Sequence, residues 1–92
     1  MGRTVIEREA TIVNQEGLHA RPAARMVRLA SQFDAEIEIA KDGLGVNGKS
    51  IMGVMMLAAE CGSSITIRAD GPDAEAAVEA LAKLVASGFG ET

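Results

Sequence analysis

The single histidine of the chain stands immediately before a predicted helix, in the segment GLHARPAA. The helix covers residues 20–32, and Pro22 suits its first turn because an N–H there would have no helical partner. The free first-turn N–H groups, from Ala20 onward, and the positive end of the helix dipole form an anion site. The dipole favours a neutral imidazole, whose ring nitrogen can act as a nucleophile. His19 and the Arg21 guanidinium therefore predict a site that accepts a phosphoryl group, although most loop histidines are simply solvated.

A second segment, GLGVNGKS at residues 43–50, matches the phosphate-binding loop of nucleotide triphosphatases. The strand before it carries Glu36 and Glu38 at alternate positions, whereas the parallel strands of such folds are buried on both faces. A chain of 92 residues also has little room for the several βαβ units that such a sheet requires. We therefore disfavour nucleotide binding here and expect a hairpin turn followed by a helix that Ser50 caps.

The elements that must position these residues follow the order β-α-β-β-α-β-α. Strands are predicted at 4–13, 35–40, 45–48 and 63–69, and helices at 20–32, 51–59 and within 70–88. Ile37 and Ile39 alternate with glutamates, which predicts a sheet with one wet face and one face covered by helices, an α+β sandwich. Residues 88–92 are expected to form a mobile tail.

Two helices present surfaces that could contact partners. On the first helix, the predicted apolar face comprises Ala20, Ala23, Ala24, Val27 and Ala30, and the polar face carries Arg21, Arg25 and Arg28. This arginine stripe is expected to steer acidic partner surfaces. The second helix is apolar all round. We assign Val54, Leu57 and Ala58 to the core, and Ile51, Met52 and Met55 to an exposed patch that binds partners.

The composition disfavours several classes of function. Residues 1–50 carry seven basic and seven acidic side chains, so the net charge of −4 comes from residues 51–92. An acidic chain with two aromatic residues is a poor nucleic-acid binder. The lone Cys61 excludes an internal disulfide, and no residue cluster suggests a metal or another cofactor. Without a signal peptide or an apolar run of about 18 residues, we predict one cytoplasmic domain over 1–92 with no membrane insertion.

The segment GLHARPA resembles, residue for residue, the phosphorylation-site signature of HPr, the histidine-containing phosphocarrier family of the bacterial phosphotransferase system. The segment KSIMGVMML, residues 49–57, is similar to the regulatory-serine segment of HPr proteins that HPr kinase/phosphorylase modifies. Length and element order match as well, so the resemblance covers essentially the whole chain. It implies an open-faced β-sandwich of four antiparallel strands with three helices on one face.

The resemblance implies a monomeric phosphoryl carrier rather than an independent enzyme. His19 would accept the group on Nδ1 from phosphorylated enzyme I, which takes it from phosphoenolpyruvate, and would pass it to a histidine of an enzyme IIA domain. Arg21 would neutralise the phosphate, which the N–H groups of Ala20 and Arg21 would bind. Ser50 would be the regulatory site for HPr kinase/phosphorylase, and Glu16 is assigned no role because HPr proteins vary there.

Two alternatives stay open beside a carrier for sugar uptake. The segment VNGKSIMGVMMLAA resembles proteobacterial members of the family, in which the nitrogen-related branch is equally compatible. A purely regulatory binding module would act through Ser50 and the exposed apolar patch, and the presence of His19 argues against it.

Overall fold

The computed structural model describes residues 5–91. The elements are β1 (Val5–Thr11), α1 (Ala20–Ala30), β2 (Glu36–Lys41), β3 (Leu44–Asn47), α2 (Ile51–Met56), β4 (Ser64–Asp70) and α3 (Ala74–Ala86), followed by a 3₁₀ turn (Gly88–Gly90). The predicted order of strands and helices is confirmed. Residue 4, where the first strand was predicted to begin, lies outside the described residues.

The four strands form one antiparallel sheet in the order β1-β4-β2-β3. Ile39 of β2 lies opposite Ile67 of β4, and both side chains are fully buried. On the other face, Arg68 of β4 lies opposite Glu7 and Glu38 and is exposed, as both glutamates are. Alternation of this kind results when helices cover one face only, so the predicted open-faced α+β sandwich is confirmed.

The β2–β3 connection explains the nucleotide-like segment. Asp42 and Gly43 have φ angles of 51° and 85°, the pair of positive values that a tight hairpin turn requires. Residues 44–47 then pair with β2 as strand β3, and Lys49 Nζ donates to the carbonyl of Phe33 at 2.7 Å. The segment is therefore a hairpin, as expected, and its lysine binds the protein's own backbone.

The buried face of α1 differs from the predicted one. Pro22, Ala23, Met26 and Ala30 are buried, whereas Ala20 is exposed. The prediction that Ala20 faces the core is wrong, because α1 turns the face centred on Ala23 and Met26 toward the sheet. Its exposure leaves the first turn of the helix open to solvent.

The second helix divides its apolar residues much as predicted. Val54 and Leu57 are buried, and the exposed fractions of Ile51, Met52 and Met55 are 44%, 78% and 41%. The helix ends at Met56, earlier than predicted. The core prediction for Ala58 is wrong: with φ at 49°, this residue turns the chain outward just after the helix.

The expectation of a mobile tail is wrong for residues 88–91. Phe89 is fully buried in the core, and its carbonyl accepts a hydrogen bond from Arg25 Nη1. Glu91 N–H donates to the carbonyl of Gly88 at 3.0 Å. A buried aromatic side chain fixes the end of the described chain. Thr92 lies outside the described residues.

An aspartate ties the start of α3 to the loop before β2. Asp73 is the N-cap residue, yet its carboxylate accepts hydrogen bonds from the N–H groups of Asp34 and Ala35, both at 2.8 Å. The bond from Asp34 is the largest cause that lowers the pKa of Asp73, because it favours the charged form. The N-terminal end of α3 is therefore held by a neighbouring loop.

Candidate phosphoryl-acceptor site

The backbone places His19 at the N-cap of α1. Its φ and ψ angles are −77° and −171°, and its side chain makes no capping hydrogen bond. Its carbonyl accepts from Ala23 N–H at 3.0 Å, which starts the helix. Within residues 5–91, the N–H groups of Ala20 and Arg21 make no hydrogen bond. The imidazole therefore stands beside two unused donors and the positive end of the dipole.

The loop before His19 is held tightly against the segment that follows α2. Gly17 has a φ of +70°, and a Cβ there would lie 2.4 Å from the carbonyl oxygen of Ala59. Leu18 N–H donates to that same oxygen at 2.8 Å. Asn14 Nδ2 donates to the carbonyl of Gly17 at 2.8 Å, and its backbone carbonyl accepts from Gly17 N–H at 3.1 Å. Contacts with Ala59 and with Asn14 therefore hold the loop that leads to His19 in place.

Two carboxylates face one nitrogen of the imidazole. Both oxygens of Glu91 lie 3.4 Å from Nε2, and Glu16 Oε1 lies 3.6 Å from it. Neither carboxylate contacts Nδ1. Carboxylates on Nε2 favour the tautomer that carries its proton there, which leaves the Nδ1 lone pair free. The geometry thus gives the two ring nitrogens different roles.

The three arginines of the stripe differ in their hydrogen bonds. All three side chains are exposed, and Arg21 and Arg28 make no hydrogen bond or ion pair within the described residues. Arg25 instead donates to the carbonyl of Phe89. Arg21, two residues from the imidazole, is therefore available to an anion, whereas Arg25 is bound to the end of the chain.

These groups share one open depression of about 660 Å³. Its lining includes His19, Arg21, Arg25, Glu16 and Glu91. Two guanidinium groups and two carboxylates thus surround a half-exposed imidazole. Such a depression can admit a charged group from another protein.

Sequence reasoning missed three of the residues at this site. Glu16 was given no role, and Glu91 belonged to a tail expected to be mobile. Asn14, whose Nδ2 lies 3.2 Å from Glu91 Oε1, is the one buried polar residue of the described chain. The segment NQEG at residues 14–17 is typical of a turn, which does not reveal that Asn14 is buried, and nothing in the sequence linked Glu91 to His19.

Ser50 caps α2 as predicted. Its Oγ accepts a hydrogen bond from Gly53 N–H at 3.1 Å, and the side chain is half-buried. Ile51 and Met52 follow it on the exposed patch. The hydroxyl therefore lies at the border between a structural cap and a free apolar surface.

A family model described as the "PTS HPr component phosphorylation site" matches residues 6–87, which include the whole depression except its last two residues. The chain belongs to the HPr family. The family match agrees with an imidazole at the N-terminus of α1, the position derived above from the local sequence.

Known HPr proteins are similar over almost the full length of the chain. The phosphocarrier protein HPr of Cupriavidus necator is 47% identical over 87 residues, which cover 95% of this chain and 98% of that protein. A crystal structure of HPr from Bacillus anthracis superposes with a TM-score of 0.85 at 51% identity, and the match covers 88% of this chain and 96% of the other. The HPr fold is thus shown by sequence and by structure.

The relatives extend beyond proteins named HPr. The phosphocarrier protein NPr of Shewanella violacea is 43% identical over 88 residues, which cover 96% of this chain and 97% of that protein. Among residues 5–91, no helix has the length and apolar character needed to cross a bilayer. The same part of the chain contains no group of three or more His, Cys, Asp or Glu residues arranged to hold a metal ion.

Proposed function

We propose that the protein carries a phosphoryl group on Nδ1 of His19, which it accepts from phosphorylated enzyme I and passes to a histidine of an enzyme IIA domain. The group originates from phosphoenolpyruvate. The proposal is supported by the family match and, above all, by the two carboxylates at Nε2, because they leave Nδ1 as the free nucleophile. The protein acts as a carrier and is regenerated by the second transfer.

The imidazole loses no proton during the phosphoryl transfer. The Nδ1 lone pair forms a bond to phosphorus as the bond between phosphorus and the donor's histidine nitrogen breaks, and that nitrogen keeps the electron pair. The Nε2 proton stays, so the phosphorylated ring is cationic, and Glu91 and Glu16 offset its charge. Arg21 and the N–H groups of Ala20 and Arg21 bind the phosphoryl oxygens.

The proposal is tested by identifying the phosphorylated atom. The ¹⁵N-histidine-labelled protein is incubated with phosphoenolpyruvate and catalytic enzyme I, and the product is examined by ³¹P and ¹⁵N NMR. We expect one acid-labile, alkali-stable phosphate whose phosphorus couples to Nδ1. Phosphorus on Nε2, or no phosphorylation by an enzyme I that phosphorylates a known HPr in parallel, would contradict the proposal.

We propose that the arginine stripe speeds the encounter with acidic partners. Raising the salt concentration from about 10 to 150 mM shortens the Debye length from roughly 30 to 8 Å. The second-order rate of phosphorylation by enzyme I should then fall at least about 10-fold, because electrostatic steering is screened. Arg28→Ala should lower the rate at low salt and flatten this dependence, since its exposed side chain makes no hydrogen bond or ion pair with a described residue.

Stopped-flow measurements at several salt concentrations check this prediction. Lys83→Ala is the matched control, because Lys83 is an exposed cation of α3 outside the stripe. Equal rates at low and physiological ionic strength would exclude a steering role.

We propose that phosphorylation of Ser50 by HPr kinase/phosphorylase regulates the carrier. Ser50→Asp should slow phosphorylation of His19 about 10-fold or more, because charge repels acidic partners beside the exposed patch. Its melting temperature should stay nearly unchanged, since aspartate is an equally good N-cap. Ser50→Ala should show the opposite pattern. It loses the bond from Gly53 N–H and about 1 kcal/mol of stability, but keeps a normal rate.

Thermal unfolding and transfer kinetics on the two variants separate these effects. A Ser50→Asp protein that transfers phosphate at the normal rate would remove the regulatory role. A large drop in its melting temperature would mean that Ser50 serves mainly the structure.

We propose that Ile51, Met52 and Met55 form the apolar part of the surface that binds enzyme I, enzyme IIA domains and the kinase. Their exposure supports this role, and flexible methionine side chains can repack against several partners. We also propose that the protein works as a monomer in the cytoplasm.

The nitrogen-related branch is the second candidate function, because the chain is 43% identical to a relative named NPr as well as similar to proteins named HPr. Transfer rates from the phosphorylated protein to a sugar-branch and a nitrogen-branch IIA domain distinguish the two. The faster acceptor identifies the branch. A protein that binds partners but does not transfer phosphate to either domain would instead be a regulatory module.

A further inference from the structure

The last described residues of the chain, 88–91, lie beside His19, and we call this short segment the strap. Phe89 anchors the strap in the core, and Glu91, two residues later, places both carboxylate oxygens 3.4 Å from Nε2 of His19. The backbone bonds of the strap are local: Gly90 N–H donates to Ser87 and Glu91 N–H donates to Gly88, at 3.3 and 3.0 Å. The position of Glu91 therefore depends on what holds the strap from outside.

The strap has an unfavourable backbone. Gly88, Phe89 and Gly90 have φ angles of 68°, 58° and 72°, so three consecutive residues are left-handed. Glycine adopts this region freely, but for Phe89 it is unfavourable, because the Cβ atom crowds the following carbonyl oxygen. A conformation of this kind persists only where its surroundings enforce it.

Arg25 supplies the contact that holds the strap to α1. Its Nη1 donates to the carbonyl of Phe89, the peptide group directly before Gly90. The guanidinium also lies so close to Gly90 that a Cβ there would be 3.0 Å from Nη1. On the other side, Asn14 Nδ2 contacts Glu91 Oε1 at 3.2 Å. The glutamate is thus held between a buried amide and an arginine-fastened backbone.

We propose that Arg25 is a positioning residue for His19: by fastening Phe89 to α1, it keeps the Glu91 carboxylate on Nε2 and so maintains the Nδ1 lone pair. Arg25 itself does not contact the imidazole. Its importance for phosphate transfer rests on the function proposed above, whereas its effect on the ring is a property of the unmodified protein. Among the three arginines of the stripe, this role belongs to Arg25 alone.

The tautomer of His19 tests the proposal directly. Protein carrying ¹⁵N-histidine is compared with its Arg25→Met variant at a pH where the imidazole is neutral, because ring ¹⁵N shifts report which nitrogen bears the proton. Methionine keeps an unbranched apolar stem and removes the donor. Arg25→Met should lower the ratio of the Nε2–H to the Nδ1–H form about threefold or more. Exchange of the Glu91 amide should become faster in the same variant.

Four further variants define the mechanism. Glu91→Gln should shift the ratio in the same direction, and adding Arg25→Met to it should cause little further change, because both act through one carboxylate. Arg25→Lys should restore part of the effect, since an ammonium can also donate to the Phe89 carbonyl. Arg28→Met, on the same stripe but without a contact to the strap, should match the unmodified protein.

Several results would overturn the proposal. One is an unchanged ratio in a folded Arg25→Met protein while Glu91→Gln shifts it, because Phe89 alone would then hold the strap. Another is a ratio that Glu91→Gln leaves unchanged, because the carboxylate would then not select the tautomer. Since these spectra are recorded without enzyme I, they stand whether or not the protein carries phosphate.

Discussion

Replacing His19 with alanine should abolish phosphorylation by enzyme I, with a loss of transfer rate on the order of 10⁴-fold or more. The expected loss is this large because His19 is the only histidine of the chain, and the neighbouring carboxylates and guanidinium groups offer no equivalent nucleophile. The measurement is incorporation of radioactive phosphate from labelled phosphoenolpyruvate, with enzyme I at catalytic concentration.

The control for this experiment is the melting temperature of the His19→Ala variant. The His19 side chain is 36% exposed and makes no capping hydrogen bond, so the alanine variant should melt within a few degrees of the unmodified protein. A folded His19→Ala protein that still gains acid-labile phosphate would show that another residue accepts the group.

Local rules were sufficient to predict where His19 and Ser50 lie, each directly before a helix. His19 and Ser50 each precede a helix, and both are N-cap residues in the structure. Such positions depend on a few neighbouring residues, so the sequence specifies them directly. The same holds for Ile37 and Ile39, because alternation along one strand determines which side chains meet the helices.

Contacts between distant parts of the chain could not be predicted in the same way. Glu91 lies 72 positions from His19, and only the fold brings the two together. Arg25 and Arg28 look alike in sequence, yet one fastens the strap and the other has no partner in the described chain. Their difference arises from where Phe89 packs, which no local pattern reveals.

Phe89 is also the source of the second large effect that we expect. Phe89→Ala should lower the free energy of unfolding by about 3–5 kcal/mol, because a fully buried aromatic side chain is replaced by a cavity. A loss of that size corresponds to a drop in melting temperature of roughly 12–40 °C for a domain of this length. Chemical denaturation followed by circular dichroism measures it.

Met52→Ala is the matched control, since a side chain that is 78% exposed should contribute at most about 0.5 kcal/mol. Phe89→Leu refills most of the cavity and should recover a large part of the stability lost with alanine. If Phe89→Ala were as stable as Met52→Ala, the strap would not be anchored in the core. Glu91 would then lack a fixed position beside His19, and the two carboxylates could not account for a free Nδ1. The free energy of unfolding of the Phe89→Ala variant therefore tests whether Glu91 is held beside His19, the arrangement on which the proposed phosphoryl transfer depends.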